Sequence, residues 1–183
     1  FGKLGMLGAL ILILVYIVMA SQFESFSNPG IIMFTVPFAL SGVILALWIT
    51  GVSLDMIGAL GIVLLVGIVV KNGIVLVDYI NLMRERGHDL NEAIQISGQS
   101  RMRPVLMTAF TTILGMVPMA VSQGEGAEMW RPLGVVVIGG LTVATFLTLY
   151  IVPVIYGAIS KKGERDKLKK VRENFIFMDI DVK

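Results

Sequence analysis

Long apolar runs return five times along this chain, at about 5–21, 31–50, 56–80, 104–122 and 132–159, and nothing else in the sequence limits its fold so severely. A helix rises ~1.5 Å per residue and the hydrocarbon core of a bilayer is ~30 Å thick, so runs of this length are expected to cross as helices. The fold class is therefore all-α membrane protein: a five-span transmembrane helix bundle over residues 1–160, followed by a basic tail over 161–183. Composition points the same way. Charged residues make up 15% of the chain and mean hydropathy is +0.85, whereas roughly a quarter of a soluble domain is charged. Without cysteine, neither disulfides nor thiolate metal sites can contribute.

The connections carry their own signals. The polar segment from Phe23 to Gly30 closes the first run. Pro37 and Gly42 interrupt the second, which a membrane helix tolerates when neighbours re-satisfy the freed backbone groups. A tight turn from Gly51 to Asp55 leads into the third run, which continues as helix to Arg86 with Gly87 as its C′ residue. Asp89 with Glu92 three residues on has the form of a capping box, and it opens a separate amphipathic helix over about 89–100, on the membrane surface. Arg103-Pro104 then begins the fourth span, with proline in the first turn. Phe175, Ile176, Phe177 and Met178 receive no assignment.

Basic residues set the orientation. With the C-terminus cytoplasmic, that side receives Arg84, Arg86, Arg101, Arg103 and the eight bases from Lys161 to Lys183, leaving Lys3 and Arg131 opposite. Five spans then put the N-terminus outside. A start at Phe1-Gly2-Lys3, without methionine or signal-peptide features, reads as a cut inside a longer protein. The charge asymmetry speaks of topology and of membrane lipids, with Lys167, Lys169 and Lys170 able to meet anionic headgroups, and not of nucleic acid.

Lys71 is the base inside an apolar run. It stands nine residues before Ile80, ~13 Å from that end of the span and close to mid-membrane. An isolated base there costs about 2.5–3.5 kcal/mol, so it is expected to face a polar partner within a bundle; snorkelling to the interface is the alternative, which the depth disfavours. Partners within the chain are poor: Asp78 is two turns further along the same face, and Asp55 and Glu24 belong to loops. Asn72 either extends a polar site around Lys71 or makes an interhelical hydrogen bond. Arg101 and Thr108, seven residues apart, share one face and can line the same path, although a membrane threonine usually bonds back to the carbonyl one turn earlier. Asp78 reads as an interfacial acid, paired with Arg84 or Arg86. The 11 methionines are scattered, which suits packing better than copper binding. No hydrolase or phosphate-binding motif is present, no metal or cofactor site is indicated, and an enzyme is not expected.

The run from Val70 to Tyr79, VKNGIVLVDY, followed by RMRPVLMT from Arg101 to Thr108, resembles the resistance-nodulation-cell division (RND) efflux family. The likeness extends from the first span to Ser160. It implies a twelve-span, two-repeat secondary transporter of which this chain resembles spans eight to twelve, located in the bacterial inner membrane with a periplasmic N-terminus and a cytoplasmic C-terminus. By resemblance, Lys71, Thr108 and Arg101 belong to a proton relay, with Asn72 beside them and a pair of aspartates in the N-terminal half of the transporter. Heavy-metal members tend to carry an acid at the Lys71 position and a lysine where Val105 stands. The expectation is therefore the drug or amphiphile (AcrB-type) branch: a proton-motive-force-driven multidrug efflux pump working by H+ antiport, as a homotrimer with a periplasmic adaptor and an outer-membrane channel. The alternatives are a heavy-metal efflux member, and a membrane-embedded assembly or protein-export-assisting subunit. A channel is disfavoured because polar residues concentrate on the third and fourth spans.

Overall fold

The computed structural model describes the backbone of residues 2–24 and 26–181 and side chains through Glu173. Those residues form six helices: α1 (Gly2–Phe23), α2 (Ser27–Met33), α3 (Thr35–Thr50), α4 (Met56–Glu85), α5 (Leu90–Val121) and α6 (Ala127–Asp181). Five stretches are long and apolar enough to cross a membrane, α2 and α3 together making the second. The division between α2 and α3 falls at Phe34, and its cause is Pro37. A proline ring clashes with the carbonyl four residues back and supplies no N–H to it; that carbonyl belongs to Met33, the last residue of α2.

Helix ends follow local chemistry. Gly51 ends α3 in the left-handed region (φ +66°), donating its N–H to the Leu47 carbonyl at 2.9 Å. Asp55, extended, then caps α4 by accepting the Gly58 N–H at Oδ1 over 2.7 Å.

One boundary differs from the sequence reading. The surface helix and the fourth span are one unbroken α5, with Pro104 internal. Ending a helix strands four carbonyls, whereas running on through one proline leaves a single carbonyl, that of Ser100, without its ladder bond. No capping box forms either. Asp89 is the N-cap but makes no side-chain cap bond, and Glu92 pairs with His88 Nδ1 at 3.3 Å. The tail, whose charged start the sequence already suggests to be helical, continues the fifth span as one helix of 55 residues; the last tail residues, 182 and 183, lie outside the described ones, as do Phe1 and Ser25.

Helix α6 is the hub against which α3, α4 and α5 pack. Glycine permits the approach. A Cβ at Gly42 would lie 2.7 Å from the Gly139 carbonyl oxygen, one at Gly139 would overlap Ala46, and one at Gly140 would overlap Leu65. Between membrane helices there is no water to expel, so close contact of small residues supplies the association. At the other end, Tyr156 Oη donates to Asn81 Oδ1 at 2.5 Å, and Arg84 pairs with Glu164 at 2.9 Å. These contacts pin α4 and α6 side by side. Tyr156→Phe is expected to cost about 0.6–1.7 kcal/mol, the range of interhelical membrane hydrogen bonds, read as a lower unfolding midpoint of the detergent-solubilised full-length protein. By contrast α1 buries only Met19.

Candidate functional site: an open polar face on α4 and α5

Two opposite faces of α4 have different fates. Gly58, Gly61, Leu65, Val69, Asn72, Leu76, Ile80 and Met83 are buried against the bundle. Leu60, Leu64, Gly67, Lys71, Asp78 and Leu82, spaced by three, four and seven residues, form an exposed stripe. Lys71 and Asp78 are both on this stripe, ~10 Å apart along the axis. Lys71 opens on a groove between α1 and α4, walled by Ile11, Val15, Val63, Gly67 and Ile74 and of about 260 Å³. Neither ion pair found among the described residues involves Lys71 or Asp78. The inward-facing partner expected for Lys71 is thus absent from the described residues, and the side chain points away from their core. The expected pairing of Asp78 with Arg84 does not form, because Arg84 is held by Glu164 across on α6.

Asn72 is separated from Lys71. Consecutive helical residues differ by about 100°, which turns Asn72 inward, where it is 7% exposed, while Lys71 is exposed. It does not extend the polar face, and its side chain makes no hydrogen bond among the described residues.

Arg101 and Thr108 border the seam between α4 and α5. The Arg101 guanidinium carbon lies 4.6 Å from the centroid of the Tyr79 ring. This contact registers the two antiparallel helices. Thr108 is seven residues beyond Arg101 and Lys71 eight before Tyr79, so both lie roughly 10–12 Å along from it, at nearly equal depth. Thr108 is exposed, and its hydroxyl donates to the Pro104 carbonyl at 2.9 Å, the local bond open to any helical threonine. That carbonyl belongs to the proline inside α5. Arg101 thus meets α4 at Tyr79, Thr108 follows it on the same face of α5, Lys71 is exposed at a similar depth on α4 beside the α1 groove, and Asn72 is turned inward.

Sequence reasoning missed two groups. Tyr79, the partner of Arg101, is separated from it by 22 positions, and only the hairpin register joins them. Thr145, 4% exposed on α6, has a buried Oγ1 without a hydrogen-bond partner; nothing in the sequence sets it apart from Thr142 and Thr148 in the same apolar run.

Five helices long and apolar enough to cross a membrane, with Lys71 and Asp78 exposed along one of them, mark a multi-pass membrane protein. A model of the AcrB/AcrD/AcrF family matches residues 2–160, and the chain belongs to that family, the RND efflux transporters. It is 45% identical over 154 residues to the cobalt-zinc-cadmium resistance protein CzcA of Cupriavidus metallidurans, and equally to the cation efflux system protein CzcA of an Alcaligenes species, covering 84% of this chain and 14% of each relative. Two crystal forms of a heavy metal efflux pump superpose with TM-scores of 0.77 and 0.73 at 35% identity, over 84% of this chain and 15% of theirs. The chain therefore spans about one-seventh of the length of these relatives. RND pumps have twelve spans, sit in the inner membrane, and generally work as trimers with adaptor and outer-membrane partners. Relatives of this kind do not support the drug or amphiphile expectation, which rested on Lys71 and Val105 alone; two positions weigh less than likeness over 154 residues.

Proposed function

We propose that this chain is the C-terminal membrane part of a proton-driven RND pump that exports heavy-metal cations. The observation carrying the coupling role is the open stripe of α4, where Lys71 lies at membrane depth with no partner of its own and level with Thr108. Metal as cargo is favoured by the relatives named for cobalt, zinc and cadmium resistance and for heavy metal efflux. In this reading, acids from the rest of the transporter cover the stripe. Ionised, they attract the Lys71 ammonium; protonated from outside, they release it, and the loss of one charge pair in a low-dielectric site is large enough to re-pack helices. Arg101 and Thr108 complete the relay along the seam. Protons supply the driving force, and cargo is selected elsewhere in the full-length protein.

Orientation follows from the charges. The Arg84–Glu164 contact joins the end of α4 to the basic part of α6, which supports reading the end that carries Arg84, Arg86, Arg101, Arg103 and the tail lysines as the cytoplasmic one and the N-terminus as periplasmic.

A second reading, export of drugs or amphiphiles, is favoured by a lysine at position 71 with valine at 105, which by resemblance suits that branch. The full-length transporter, expressed in a bacterial strain sensitive to both, separates them. Raised tolerance of cobalt, zinc or cadmium is expected; raised tolerance of cationic dyes with unchanged metal tolerance would decide for the second reading.

A further inference from the structure

Arg101 is held by an aromatic face and not by an acid. Its guanidinium sits over the Tyr79 ring, its Nε is buried with no hydrogen-bond partner, and neither ion pair among the described residues includes it. Asp78, the acid adjacent to Tyr79 in sequence, is exposed and unpaired; the other charged groups flanking the seam are Lys71 above on α4 and Arg103 on α5.

We propose that Tyr79 is the positioning residue for Arg101, an aromatic seat that keeps the guanidinium against α4 while nearby acids gain and lose protons. This rests on the relay reading above. A carboxylate in that place would grip Arg101 when ionised and let go when protonated, so the cation would wander with each cycle. The ring attracts the cation in every protonation state, because the attraction comes from the fixed quadrupole of the aromatic face. It is also weaker than a charge-assisted hydrogen bond, so an ionised acid arriving at the seam can still draw Arg101 away. The unspent Nε–H donor is what such an acid would take up. Since Tyr79 and Lys71 share α4, and Arg101 and Thr108 share α5, the seat also ties the α4 half of the relay to the α5 half.

The test uses the full-length transporter in the tolerance assay above, with zinc or dye according to which the unsubstituted protein exports. Tyr79→Phe, which keeps the aromatic face, is expected to stay within about two-fold of the unsubstituted protein. Tyr79→Leu is expected to lower export about ten-fold at unchanged membrane level; should it not accumulate, Tyr79→Met replaces it. The discriminating arm is Arg101→Lys, which keeps the charge and loses the planar stack. In that background Tyr79→Leu is expected to add less than about two-fold, since a residue acting through Arg101 has nothing left to position. The proposal is overturned if Leu matches the unsubstituted protein, if Phe is as damaging as Leu, or if Leu costs its full factor again beside Arg101→Lys. Lys71→Ala tells the two levels apart. Export surviving Lys71→Ala removes the relay and this proposal together, whereas loss with Lys71→Ala and none with Tyr79→Leu overturns the Tyr79 role alone.

Discussion

Lys71→Ala in the full-length transporter is expected to reduce proton-coupled export by about a hundred-fold or more while leaving the protein at normal level in the membrane. The two halves of that result have separate physical origins. Lys71 is exposed on α4 and has no ion pair among the described residues, so truncation removes nothing from the packing of α4 on α6. It also relieves the insertion cost of a mid-membrane base, about 2.5–3.5 kcal/mol. In the proposed relay, export depends on the charge itself. An alanine offers the acids no ammonium to attract or release, so their protonation no longer moves α4. The measurement is proton uptake into proteoliposomes alongside the amount of folded protein. Unchanged uptake would end the coupling role and return the chain to the assembly or protein-export-assisting reading.

The second large effect is structural. Gly139→Leu is expected to prevent accumulation of folded transporter, or to cost about 3 kcal/mol or more where some survives, at the upper end of what overpacking does. Even a Cβ at this position would overlap Ala46 and come 3.0 Å from the Gly42 carbonyl oxygen, and neither backbone nor Cβ can rotate away. The leucine would wedge α3 off α6, the helix on which α3, α4 and α5 converge. Gly163→Ala is the control. A Cβ there meets nothing within 4 Å, and in mid-helix alanine is favoured over glycine by up to about 1 kcal/mol. Equal behaviour of the two variants, by detergent-solubilised unfolding and membrane yield, would show that the glycine contact does not hold the bundle.

Much of the architecture was legible because hydrocarbon leaves little choice. An apolar run of bilayer length has one economical conformation, and Pro37, Gly51 and Asp55 mark interruptions or ends through local chemistry. Where the reading failed, two local signals competed with a cooperative one. Pro104 and the Asp89–Glu92 spacing each described a plausible helix start, yet continuing a helix satisfies more backbone groups than restarting one, and Glu92 had a better partner in His88. The candidate residues could be singled out from the sequence; their arrangement could not. Depth identified Lys71 and a seven-residue spacing joined Arg101 to Thr108, but the inward turn of Asn72 depends on which face of α4 the bundle covers. The Arg101–Tyr79 and Arg84–Glu164 contacts join residues 22 and 80 positions apart, and no sequence pattern shorter than the fold links them. The substrate branch expected from the sequence rested on two positions at the relay, whereas the relatives alike over 154 residues favour the heavy-metal alternative.

Helix α6 does not stop where its apolar part does. Beyond Ser160 it runs on as helix, and Glu173 lies roughly 20 Å further along the axis at 1.5 Å per residue. With no turn or loop to absorb motion, it is a mast stepped in the middle of the bundle. A tilt of its apolar part therefore displaces the charged outer end further than the part in oil, because the extension is rigid and lengthens the lever.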